Sequence, residues 1–124
     1  MKKRILIADD ETALLHTMAF TLKRKGFDVE IVEDGESAFK MIMKAYQKNT
    51  FYDLIITDIQ MPGMSGLELV QKIRQAGIYT QVLAITGFGT MNMVVDLMRA
   101  GFKDYLDKPF TMNEFIERII KLLN

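Results

Sequence analysis

An α/β fold, with a doubly wound five-stranded parallel sheet and helices on both faces, is what this sequence of 124 residues predicts. Two observations carry that expectation. Apolar runs of strand length alternate with stretches of helical period, strand then helix, with no internal repeat, low-complexity tract or linker between them. The first, third and fourth runs are apolar almost throughout, as strands covered on both faces of a parallel sheet must be. Right-handed crossovers then place helices on both sides, and ligands bind at the carboxyl ends of the strands where the winding direction switches.

The first strand is expected at Arg4–Ala8, and its apolar run stops at Asp9-Asp10. A first helix follows over Glu11–Lys25, ended by Gly26, because glycine takes the left-handed closing conformation without steric cost. Asp28–Val32 reads as the second strand and Glu36–Lys48 as the second helix. A somewhat long connection from Gln47 to Tyr52 leads to the third strand, Leu54–Thr57, which runs straight into Asp58. Ser65 and Glu68 have capping-box spacing before a helix over Gly66–Ala76, with Gly77 as its stop. Gln81–Thr86 is the fourth strand, Met91–Ala100 the fourth helix and Gly101 its stop. Asp104–Leu106 is the fifth strand, and Thr111 with Glu114 repeats the capping box before Met112–Leu123.

On the fourth helix the polar positions are Asn92, Asp96 and Arg99. Met91, Val94, Val95 and Met98 form the arc expected to face the sheet, leaving Met93, Leu97 and Ala100 as a second apolar arc for a partner. His16 falls away from the arc of Leu14, Met18 and Leu22 and reads as a solvated surface side chain. The ten methionines read chiefly as core filler, since a flexible thioether fits irregular gaps.

Composition narrows the function. Residues 1–124 read as one domain, and sixteen basic residues balance sixteen acidic ones, so no overall field draws in nucleic acid or an anionic membrane. Without cysteine there is no disulfide, thiolate or zinc–thiolate chemistry. The apolar run after Lys2-Lys3-Arg4 is too short for a secretory core of about seven residues. Nor does any stretch reach the roughly 18 apolar residues of a membrane span, so the expectation is a soluble, cytoplasmic domain.

The carboxyl ends of the predicted strands carry Asp9, Asp10, Asp58, Thr86 and Lys108. Taken singly each has an ordinary explanation: an N-cap, a turn aspartate, a strand end, a solvated lysine. Together, three carboxylates on one rim repel one another unless a cation or protons intervene. Oxygen donors without histidine or cysteine suit a hard ion, and Mg²⁺ is the expected one. An aspartate beside such an ion can attack phosphorus to give an acyl phosphate, a reaction governed mainly by alignment and charge neutralisation. In this reading Asp58 is the nucleophile. Asp10 and Asp58 touch the metal, Asp9 holds it through water, Lys108 offsets phosphoryl charge and Thr86 donates a hydroxyl hydrogen bond.

Four segments, Ile5-Leu6-Ile7-Ala8-Asp9-Asp10-Glu11, the run from Asp53 through Asp58 and Met61-Pro62-Gly63 to Gly66, Ile85-Thr86-Gly87, and Asp107-Lys108-Pro109-Phe110, resemble the motifs of response-regulator receiver domains. The resemblance implies a flavodoxin-like sheet order, phosphorylation of Asp58 by a histidine kinase or phosphotransfer protein, and the backbone carbonyl of Gln60 as a further metal ligand. It also implies a cis bond between Lys108 and Pro109, a switch role for Tyr105 paired with Thr86, and a signalling face on the fourth helix, fifth strand and fifth helix. On that face Met93 and Leu97 are expected to meet a second receiver or an output partner. Gln60 and Phe88, flanking the site, are expected to govern water access. Three alternatives fit less well. An aspartyl-phosphate phosphatase needs a second aspartate where Gln60 stands, a flavin phosphate would be repelled by Asp9 and Asp10, and a phosphorylation-independent adaptor has no need of the full acidic set.

Overall fold

A computed structural model of the chain describes residues 2–87 and 91–124. Its elements run β1 (Arg4–Ala8), α1 (Thr12–Arg24), β2 (Asp28–Val32), α2 (Gly35–Gln47), β3 (Leu54–Asp58), α3 (Gly66–Gln75), β4 (Gln81–Thr86), α4 (Met91–Ala100), β5 (Asp104–Asp107) and α5 (Met112–Leu123). All the strand pairs are parallel, in the order β2-β1-β3-β4-β5. The winding therefore reverses between β1 and β3, where the sequence argument places a site.

Side chains alternate across the sheet and so divide the interior in two. Ile5 and Ile7 of β1, Leu54 and Ile56 of β3, and Leu83 and Ile85 of β4 pack with Leu15, Met18 and Leu22 of α1 and Phe115 and Ile119 of α5. Leu6 and Ala8, Ile55, and Val82 and Ala84 point the other way, onto Ala38 and Ile42 of α2, Leu69 and Ile73 of α3 and Leu97 of α4. Both faces are covered, which is why these strands are apolar throughout.

The helix limits follow local chemistry. Ser65 accepts the Glu68 N–H at 3.2 Å and Thr111 accepts the Glu114 N–H at 3.1 Å, each satisfying a donor in the first turn. A third cap, at Asp34, starts α2 one residue earlier than the sequence suggests: its carboxylate accepts the Ser37 N–H at 2.7 Å. Those bonds from Ser37 hold the Asp34 carboxyl below the usual carboxylate range. After α2 the chain turns at Asn49 with φ 57°, one of the few residue types besides glycine that tolerate this region. Gly66 is needed for proximity, since a Cβ there would lie 2.3 Å from the Asp58 carbonyl oxygen. The start of α3 is thereby seated against the end of β3.

The expected orientation of α4 is reversed. Leu97 is buried at 1% exposure, with Met93 and Ala100 packed beside it against the core, whereas Met91 at 78%, Val95 at 38% and Met98 at 40% face outward. Both arcs are apolar, so helical period alone cannot choose between them. Packing against α3 and the sheet does, and the Met93 and Leu97 side chains are not the outer surface.

Candidate functional site

Asp58 ends β3 with 6% of its surface exposed. One carboxylate oxygen, Oδ1, accepts the Gln60 N–H at 3.0 Å, and the other, Oδ2, accepts from Lys108 Nζ at 2.9 Å. The Lys108–Pro109 peptide bond is cis, as the motif resemblance implies. Asp9 follows β1 and is fully buried, whereas Asp10, one residue on, is exposed. Asp9 Oδ1 accepts the Glu11 N–H at 2.8 Å, while Oδ2 accepts no hydrogen bond among the described residues. Lys108 Nζ stands 3.7 Å from that oxygen and 3.9 Å from Glu11 Oε1.

Electrostatics reflect this crowding. Burial, with the nearby charge of Asp58 adding to it, pushes the Asp9 carboxyl up to about 6, although the Glu11 N–H and Lys108 work in the opposite direction. Burial alone would lower the Lys108 ammonium. Its hydrogen bond to Asp58 and the charges of Asp58, Asp9 and Glu11 outweigh burial and hold it above the usual lysine value.

Asp9, Asp10 and Asp58 each offer a carboxylate oxygen within 4.8 Å of the others. Carboxylates at this spacing, two of them buried and one of these, Asp9, with an oxygen that has no hydrogen-bond donor among the described residues, fit a hard divalent cation. Beside them a crevice of about 390 Å³ is lined by Glu11, Leu14, Gly87, Lys108, Pro109 and Phe110.

Asp9, Asp10, Asp58 and Lys108 thus come together as the sequence predicts. Gln60 contributes its N–H to Asp58 and its side chain is exposed. Thr86 is fully buried at the end of β4, but its hydroxyl donates to Met93 Sδ at 3.6 Å. Tyr105 is half-buried against the α2–α3–α4 core, and its carbonyl accepts from Arg118 at 2.6 Å. His16 is exposed, as expected. Phe88 lies outside the described residues. The Met93 contact to Thr86 was not legible in the sequence, because it depends on which arc of α4 turns inward.

The family model described as the response regulator receiver domain matches residues 5–120. The transcriptional regulatory protein TctD of Salmonella typhimurium is 37% identical over 97% of this chain and 51% of its own length. The transcriptional regulatory protein TrcR of Mycobacterium tuberculosis is 32% identical over 97% of this chain and 45% of its own. The chain therefore spans about half the length of these relatives. Among solved structures, a CheY-like response regulator receiver domain protein from Methanospirillum hungatei superposes with a TM-score of 0.88 at 31% identity, covering 99% of this chain and 94% of that one.

Proposed function

The chain belongs to the response regulator receiver domain family of two-component signalling, and on that premise we propose that Asp58 is its phosphoryl acceptor and Mg²⁺ its metal. The observation that carries the reading is the pairing of Asp58 Oδ2 with Lys108 at 2.9 Å beside the buried Asp9 oxygen that accepts no hydrogen bond among the described residues. It supports a site in which positive charge is already in place where a phosphoryl group would add negative charge.

An Asp58 oxygen attacks phosphorus of a phosphohistidine on a cytoplasmic histidine kinase or phosphotransfer protein. The O–P bond forms as the N–P bond breaks, and the departing imidazole nitrogen takes a proton. Asp9, Asp10, Asp58 and the Gln60 carbonyl would hold Mg²⁺, which supplies charge neutralisation on the phosphoryl oxygens. Lys108 keeps its proton and pairs with a phosphoryl oxygen. The Gln60 N–H keeps the acceptor carboxylate oriented, and Thr86 would supply a hydroxyl donor to a phosphoryl oxygen. In autodephosphorylation water would attack phosphorus of the acyl phosphate, the O–P bond to Asp58 breaking to regenerate the carboxylate and release inorganic phosphate. The phosphorylated state would engage a second receiver or an output partner, and on α4 such a partner would meet Met91, Val95 and Met98 rather than Met93 and Leu97.

Incubation with radiolabelled acetyl phosphate and Mg²⁺ tests the acceptor. Wild type should take up alkali-labile label, and Asp58→Asn, nearly isosteric at the strand end, should fold normally and take up none. Equal labelling of the two would remove Asp58 from its role.

A further inference from the structure

The described contacts of Thr86 set a constraint on how the site can switch. The hydroxyl is buried at the end of β4 and donates to the Met93 thioether of α4 at 3.6 Å. A threonine hydroxyl carries one hydrogen, so donation to Met93 and donation to a phosphoryl group on Asp58 exclude each other. Strand alternation agrees with this geometry. Thr86 continues the Val82 and Ala84 face toward α4, whereas Asp58 continues the Leu54 and Ile56 face toward α1 and α5. Resting on the reading of Thr86 as the hydroxyl that meets the phosphoryl group, we propose that Met93 is a positioning residue that retains this hydroxyl on the α4 side until Asp58 is phosphorylated.

The chemistry suits a releasable latch. Thioether sulfur is a weak acceptor, whereas a phosphoryl oxygen is an ionised one, so the exchange runs toward the phosphoryl group once it is present. Met93 is itself packed against the α2–α3–α4 core. Losing the hydroxyl removes one restraint on an unbranched, flexible side chain, which carries the event directly into α4. A latch of this kind lowers the population of the competent arrangement and so weakens apparent binding of a phosphoryl group or its mimic.

Calorimetric titration with beryllofluoride in Mg²⁺ tests it. Met93→Leu, which keeps volume but removes the acceptor, should bind about three-fold more tightly than wild type, the scale of one weak hydrogen bond. Met93→Gln, unbranched and with a carbonyl acceptor, should restore wild-type binding. In a Thr86→Val background, Met93→Leu should change nothing. An equal gain in both backgrounds, or none in either, would show that Met93 only fills space and would overturn the proposal. If Thr86→Val alone leaves beryllofluoride binding unchanged, the phosphoryl-sensing role of Thr86 fails, and the latch with it. A measurement without substitution serves as well: the Met93 ε-methyl resonance of wild type should move on beryllofluoride binding, and an unmoved resonance overturns the latch.

Discussion

A carboxylate oxygen that is buried without a hydrogen-bond donor needs a compensating charge or a proton, and among the described residues Asp9 Oδ2 is such an oxygen. Its carboxyl is raised from 3.8 to about 6, so without metal the folded chain keeps a proton on Asp9 over a range where the unfolded chain has released it. The folded state binding more protons means that stability falls as pH rises. The loss begins near pH 4, is complete above about pH 6, and amounts to on the order of 2 to 3 kcal/mol for a shift of roughly two units. Asp9→Asn keeps the acceptor for the Glu11 N–H and removes the charge. In chelator-treated protein it should be more stable than wild type at pH 7 by about that amount and show little difference at pH 3.5, by urea unfolding. A difference that does not vary with pH would show that Asp9 carries no such burden. Asp9 and Asp58 stand out in the sequence as candidates because each stands where an apolar run stops. The unequal depth of Asp9 and Asp10 is not legible there: the two are adjacent in sequence, and only the packed strand end decides that Asp9 is buried and Asp10 exposed.

Among the elements, those with caps and glycine stops lie within a residue or so of where the sequence places them. Ser65, Thr111, Gly26, Gly77 and Gly101 act as expected, the glycines with φ between 83° and 106°. α2 starts one residue before its sequence signal because Asp34, not followed by a glutamate three residues on, has no capping-box spacing although its carboxylate caps the helix. The orientation of α4 is decided differently. With apolar side chains on two arcs, the helix has no polar face wide enough to mark the outside, and tertiary packing decides. Truncation discriminates the two orientations. Leu97→Ala should cost about 2 to 5 kcal/mol by leaving a cavity in the core, while Met98→Ala on the exposed arc should stay within about 0.5 kcal/mol. Urea unfolding giving the opposite ranking would restore the orientation expected from sequence.

Across the whole molecule, the sheet separates Asp58, the proposed acceptor, from α4, one part of the face through which a signal would leave. βα alternation was enough to predict a covered parallel sheet, but the strand order came from the motif resemblance, and the assignment of helices to faces needed the register. That register puts α1 and α5 behind Asp58 and α2, α3 and α4 behind Thr86 and Tyr105. A phosphoryl group on Asp58 therefore affects α4 only if something at the strand ends crosses from one side to the other. Thr86 stands at that crossing, one residue beyond Ile85, the β4 partner of Asp58, and opposite Asp107 of β5. Replacing its hydroxyl should divide the response rather than abolish it. Thr86→Ala should still take up label from acetyl phosphate, and on adding beryllofluoride and Mg²⁺ its amide resonances near Asp9, Asp58 and Lys108 should move as in wild type. Shifts in α4 and β5 should fall to a small fraction of the wild-type values, because the group that links the two sides is missing. Full-sized shifts in α4 and β5 of Thr86→Ala would mean that the signal crosses the sheet by another route, such as the β5–α5 connection that carries Lys108.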